Sequence, residues 1–85
     1  MMKAIEANAV ATNYALTRAI ELSNEVDAII RKKASHGKFY ACYLNNEFEN
    51  ITIREIFKSI LEVAGYEVTY LPALTSFDIH WGKKN

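Results

Sequence analysis

The chain has one cysteine, one proline and three glycines among its 85 residues. It contains no apolar run approaching the ~18 residues that mark a membrane span. A single cysteine excludes an internal disulfide framework and any multi-cysteine zinc site. So few glycines and prolines exclude a collagenous or low-complexity polymer. Neither charge sign is in surplus, with ten Lys plus Arg against ten Asp plus Glu. Nucleic-acid and anionic-membrane binders need excess positive charge to displace counterions, so both partners are disfavoured. Lys3 and Glu6 interrupt the apolar residues of the first eight positions, so no secretory signal is expected there. There is no Gly-rich phosphate loop, nucleophile elbow, HExxH or calcium loop. The expectation is a non-enzymatic protein without cofactor or metal, working inside a reducing cell.

Apolar residues nevertheless make up 51% of the sequence and aromatics 12%, enough for one folded domain. Residues 2–35 hold no Gly or Pro and are rich in strong helix formers, which predicts one long helix. Asp27 precedes Arg31 by four residues, a favourable helical pair. Basic residues at the end complement the dipole, and Gly37 supplies a left-handed stop. Residues 38–44 are aromatic-rich and predict a strand. Thr52 with Glu55 matches a capping box, with Ile51 and Ile56 as its staple, and Gly65 ends the helix that follows. Residues 66–71 and 76–81 alternate apolar and polar. Setting Leu71 against Ser76 pairs Tyr70 with Phe77 and Val68 with Ile79 on an inner face. The same register pairs Thr69 with Asp78 and Glu67 with His80 on the outer face. The fold expected is α+β: a long N-terminal helix, then strand-helix-strand-strand forming a small three-stranded sheet with one helix packed on it. One domain spans 1–85, divided into the helix (1–36), an α/β unit (37–82) and a polar tail (83–85).

The long helix is more apolar than a surface helix requires. At ~100° per residue, Met2, Ile5, Ala9, Leu16, Ala19, Val26 and Ile30 form one seam. Ala4, Ala11, Ala15, Leu22 and Ile29 form a second beside it. Thirty-odd residues make a rod of about 50 Å, longer than the remaining chain can cover. Either the helix breaks or another copy covers it. Self-association is the preferred reading, with Met2, Ile5, Ala9, Ala11, Ala15, Leu16, Ala19, Leu22 and Val26 as its interface. Asn8, Thr12 and Ser23 fall in the apolar arc, either fixing register or bonding back to their own helix, the simpler reading.

Three groups carry chemistry worth weighing. Glu67, Asp78 and His80 would share the outer hairpin face, where a carboxylate beside His can poise a base. Without a pocket, nucleophile or third metal ligand, ordinary cross-strand pairing explains them better. Cys42, within an apolar strand, reads as a buried structural thiol rather than a nucleophile. Arg31, Lys32, Lys33, His36 and Lys38 cluster near Tyr40 and Tyr43, suiting phosphate or RNA, although dipole complementation explains the same residues. Arg31, Lys32, His36, Lys38, Tyr40, Glu67, Asp78 and His80 are therefore the candidate ligand- or partner-binding residues. Tyr14 and Arg18 are placed to grip a partner or to pack together.

The C-terminal pattern, Ala64-Gly65-Tyr66-Glu67-Val68 followed by Phe77-Asp78-Ile79-His80-Trp81, resembles small uncharacterised proteins of tailed bacteriophages. In those, a long helix precedes a Gly, a strand, a helix and a hairpin closing on an aromatic such as Trp; the usual Ser before that Trp is His80 here. The resemblance implies a phage or prophage accessory protein in the cytoplasm of an infected bacterium. Such a homo-oligomer would bind a host protein or sequester a small anionic ligand. A virion or assembly component and a small nucleic-acid-binding regulator are the alternatives.

Overall fold

The computed structural model describes residues 1–82, and the expected polar tail from Lys83 onward lies outside them. Helix α1 runs unbroken over Ala4–Ser35, strand β1 over Tyr40–Leu44, and helix α2 over Ile51–Val63. Strands β2, Glu67–Leu71, and β3, Ser76–His80, complete an α+β fold. A short 3-10 turn, Asn46–Glu49, leads into α2, and another, Pro72–Leu74, joins the two later strands.

Both helix stops follow from local chemistry. Gly37 and Gly65 take positive φ values of 76° and 99°, which an L side chain rarely adopts. The start of α2 differs from the capping box read at Thr52. Asn50 is the N-cap, its side chain accepting a hydrogen bond from the Ile53 N–H at 3.1 Å. Asn caps at least as well as Thr, and starting two residues earlier places Ile51 in the first turn, exposed, rather than in a staple.

The sheet order is β1-β3-β2, both pairings antiparallel. Tyr70 faces Phe77, Val68 faces Ile79, Thr69 faces Asp78 and Glu67 faces His80, the register the alternation predicts. Strand β3 also pairs with β1, Tyr40 opposite His80 and Cys42 opposite Asp78. Strands β1 and β2 are thus parallel to one another with β3 inserted between them.

Both helices cover the inner sheet face. Helix α1 contributes Ala15, Ala19, Leu22, Val26 and Ile30 to the core, and α2 contributes Ile53, Phe57 and Leu61. The helices run in the same direction: Arg18 meets Glu47, just ahead of α2, while Ile30 shares a groove with Leu61 and Ala64 at its end. Phe48, Phe57 and Phe77 pack mutually at centroid distances of 4.7, 4.9 and 5.2 Å, all fully buried. Each such pair adds about 0.5–1.5 kcal/mol beyond its area burial.

The helix does not break, and the rest of the chain covers one face of its second half alone. Every residue from Met1 to Tyr14 is exposed, and burial begins at Ala15. The molecule is 55 Å long but only 23 by 19 Å across. Its radius of gyration is 14.7 Å, against about 12 Å for a compact chain of this length.

Candidate functional site

Three surfaces gather the residues to which the sequence points. The first is α1 itself. The interface expected from periodicity divides at the edge of the body. Ala15, Ala19, Leu22 and Val26 are buried by the chain's own sheet and second helix. Met2, Ile5, Ala9, Ala11 and Leu16 remain exposed. Periodicity registers both sets alike, because it reports an apolar face and not what covers it. The exposed set continues to Ile20, with Ile5 at 77% exposure and Leu16 and Ile20 at 45% each. Of the polar residues in the arc, Asn8 and Thr12 lie in solvent. Ser23 donates to the Ile20 carbonyl at 2.7 Å, bonding back to its own helix.

Beside this flank lies a shallow apolar trough of about 490 Å³ along α2, lined by Glu55, Ile56, Ser59, Ile60 and Val63. Ile60 also borders the groove that α1 lines with Ser23, Asn24 and Asp27. Trough and α1 flank therefore sit on the same side. Val63, at the end of this trough, is 90% exposed.

The second surface is the outer face of the sheet. Alternation along β1 and β3 places Tyr40, Cys42, Asp78 and His80 there, with Glu67 and Thr69 opposite them on β2. Four expected site residues, Tyr40, Glu67, Asp78 and His80, thus come together. The Tyr40 and His80 rings stack at 5.8 Å with an interplanar angle of 22°. Cys42 departs from the expectation of a buried thiol. Its neighbours Ala41 and Tyr43 take the inward positions, leaving it exposed. Its Sγ donates to Asp78 Oδ1 at 3.0 Å. That hydrogen bond, then partial burial, then the Asp78 charge hold the thiol above its ordinary range. A thiol so held is a poor nucleophile near neutral pH. Among the described residues, no three His, Cys, Asp or Glu side chains are grouped to hold a metal ion.

The third surface is what becomes of the basic cluster. Arg31 turns to Asp27, Nε to Oδ2 at 2.7 Å, which raises its pKa. Lys32 lies in the last turn of α1, and His36 caps its C-terminus through the backbone. Successive helix positions point ~100° apart, so Arg31, Lys32 and Lys33 do not share a face. Lys33 and Lys38 do converge, lining with Tyr40, Ala41 and Cys42 a cleft of about 310 Å³ beside β1. Neither lysine belongs to an ion pair among the described residues.

Arg18 is engaged by its own chain rather than free to work with Tyr14. Its guanidinium forks onto the Glu47 carboxylate, Nε to Oε1 at 2.8 Å and Nη2 to Oε2, and Nη1 reaches Glu21 at 3.2 Å. The hydrogen bonds with Arg18 hold the Glu47 carboxyl below its usual range, and Glu47 and Glu21 raise the Arg18 pKa. Tyr43 donates to Glu25 at 3.1 Å, and burial is the main cause of its raised pKa. No helix among the described residues is long and apolar enough to cross a membrane. Comparison with family models, with curated proteins and with solved structures finds no match to the chain.

Proposed function

We propose that this chain is a non-enzymatic, homo-oligomeric accessory protein that acts by binding, its projecting α1 serving as the assembly element. The observation that carries the reading is the uncovered start of α1. The stretch from Ala4 to Tyr14 stands in solvent for about 15 Å while bearing Ile5, Ala9 and Val10. These turns gain nothing from tertiary packing, the main source of helix stability in proteins, and contiguous exposed apolar surface marks a contact site.

The target would meet the other surfaces. The Lys33–Lys38 cleft beside Tyr40 suits a small anion, and the open sheet face with its Tyr40–His80 stack suits a host protein. The setting in a phage-infected bacterium rests on the resemblance in layout. Zero net charge disfavours the nucleic-acid reading. Native mass spectrometry of gently purified protein tests the proposal. A multiple of 9.7 kDa is expected, with extra small mass if an anion is retained. A bare monomer at micromolar concentration overturns the assembly reading.

A further inference from the structure

We infer that two copies pair antiparallel through α1, about a two-fold axis passing between Thr12 and Asn13, so that each overhang lies against the other copy's body. This rests on the self-association proposed above and specifies its geometry.

Ile5, Ala9, Leu16 and Ile20 lie within about 60° of one another around the helix at ~100° per residue. No Asp, Glu, Lys or Arg falls on that stripe from Ile5 to Ser23, and the first charge on it is Asp27. The stripe is also symmetric. Ala9 and Leu16 lie equally far on either side of the Thr12–Asn13 midpoint, as do Ile5 and Ile20. A two-fold interface requires this property, because residue i must meet j while j meets i. Antiparallel pairing about the midpoint sets Ile5 against the partner's Ile20 and Ala9 against the partner's Leu16. Each small side chain then meets a large one, and the overlap ends before Asp27. Thr12 and Asn13 meet at the centre, where their polar groups can hydrogen-bond.

The body decides the direction. Burial of α1 begins at Ala15, and α2 lies beside Ser23 and Asp27 on the same side as the stripe. Parallel pairing in register would bring two bodies into one space and set Ala9 opposite Ala9. Antiparallel pairing places only an overhang beside each body. It carries the start of each overhang toward the partner's Ser23, which lines the groove that shares Ile60 with the trough. It also opposes the two helix dipoles.

The test uses a Cys42→Ser background, which removes the only cysteine, carrying either Ile5→Cys or Ile20→Cys. Both positions are exposed in the single chain, so each variant should keep its fold, checked by circular dichroism. In the inferred dimer, two copies of Cys at the same position stand about 22 Å apart along the axis. A short bismaleimide should therefore join the mixture of the two variants and neither variant alone. Ala9→Glu should raise the dissociation constant at least tenfold, and Val10→Glu, off the stripe, should leave it within twofold. Crosslinking of each variant with itself overturns the antiparallel register while self-association stands. A dimer that survives Ala9→Glu uses another surface and also overturns it. A monomer by sedimentation, crosslinked in no mixture, removes both this inference and the assembly reading.

Discussion

Arg18 and Glu47, 29 residues apart in sequence, meet as a two-pronged ion pair where α1 enters the body of the protein. Burial of the helix begins one turn before this pair, at Ala15, and everything N-terminal to that is bare. The pair ties α1 to the turn that starts α2, so it fixes how the two helices align. Because Arg18 holds the Glu47 carboxyl below its usual range, the pair's contribution is full above the ordinary value of 4.5. It is lost as pH falls through the lower folded-state value. Glu47→Gln should lower the melting temperature modestly at pH 7, since the pair is partly exposed. The difference from the natural protein should vanish in acid, and a gap that persists at pH 2 would show that packing, not charge, is responsible.

Core and overhang of α1 should respond differently to truncation. Leu22→Ala removes a side chain with no exposure and should cost about 2–5 kcal/mol in urea unfolding. Ile5→Ala should change single-chain stability by less than about 0.5 kcal/mol, measured at concentrations low enough to keep copies apart. Equal losses at the two sites would mean that the overhang is covered within one chain.

The start of α2 offers a local test. Asn50→Ala should cost about 1 kcal/mol by leaving the Ile53 N–H without its acceptor. Thr52→Ala, on the exposed side of the first turn, should cost much less. The reverse order would restore Thr52 as the cap.

The thiol of Cys42 should alkylate slowly near neutral pH despite its exposure. Asp78→Asn removes both the charged acceptor and its repulsion of a thiolate, so the thiol should ionise at lower pH. Iodoacetamide labelling at pH 8 should then speed several-fold, followed by intact mass. The sign for stability is the opposite of the Glu47 case. A raised thiol pKa contributes below the ordinary value of 9.0 and is lost as pH climbs through the folded-state value. An unchanged labelling rate would mean that Asp78 does not govern the thiol.

What was legible in the sequence was mainly local. The hairpin register could be read because alternation puts Val68, Tyr70, Phe77 and Ile79 on one face, and a slip by one residue would expose all of them. The helix stops were legible in Gly37 and Gly65 because the required φ is a property of one residue. The pairing of β1 with β3 was not, since it joins segments separated by a helix and a strand and leaves no periodic trace. Cys42 was misplaced because a five-residue strand of apolar character does not announce which face is inward. The division of α1 at Ala15 was hidden for a related reason: Leu16 and Leu22 are the same residue type, and only the three-dimensional position of α2 and the sheet separates them. Arg31 and Arg18 each pair with a carboxylate of their own chain, one legible four residues away and the other, 29 residues off, not.

The central position of β3 has a consequence for synthesis. Among the described residues, strands β1 and β2 are each paired only with β3, and β3 is translated after both. A ribosome that has made everything up to Leu74 has produced two helices with their apolar stripes and two strands with no ladder to join. Phe48 and Phe57 still lack Phe77, the ring that closes their cluster. Chain elongation and chain closure therefore run in opposite senses. The sheet can assemble only once the last hairpin emerges, because the strand that joins its two edges is the last of the three to be made.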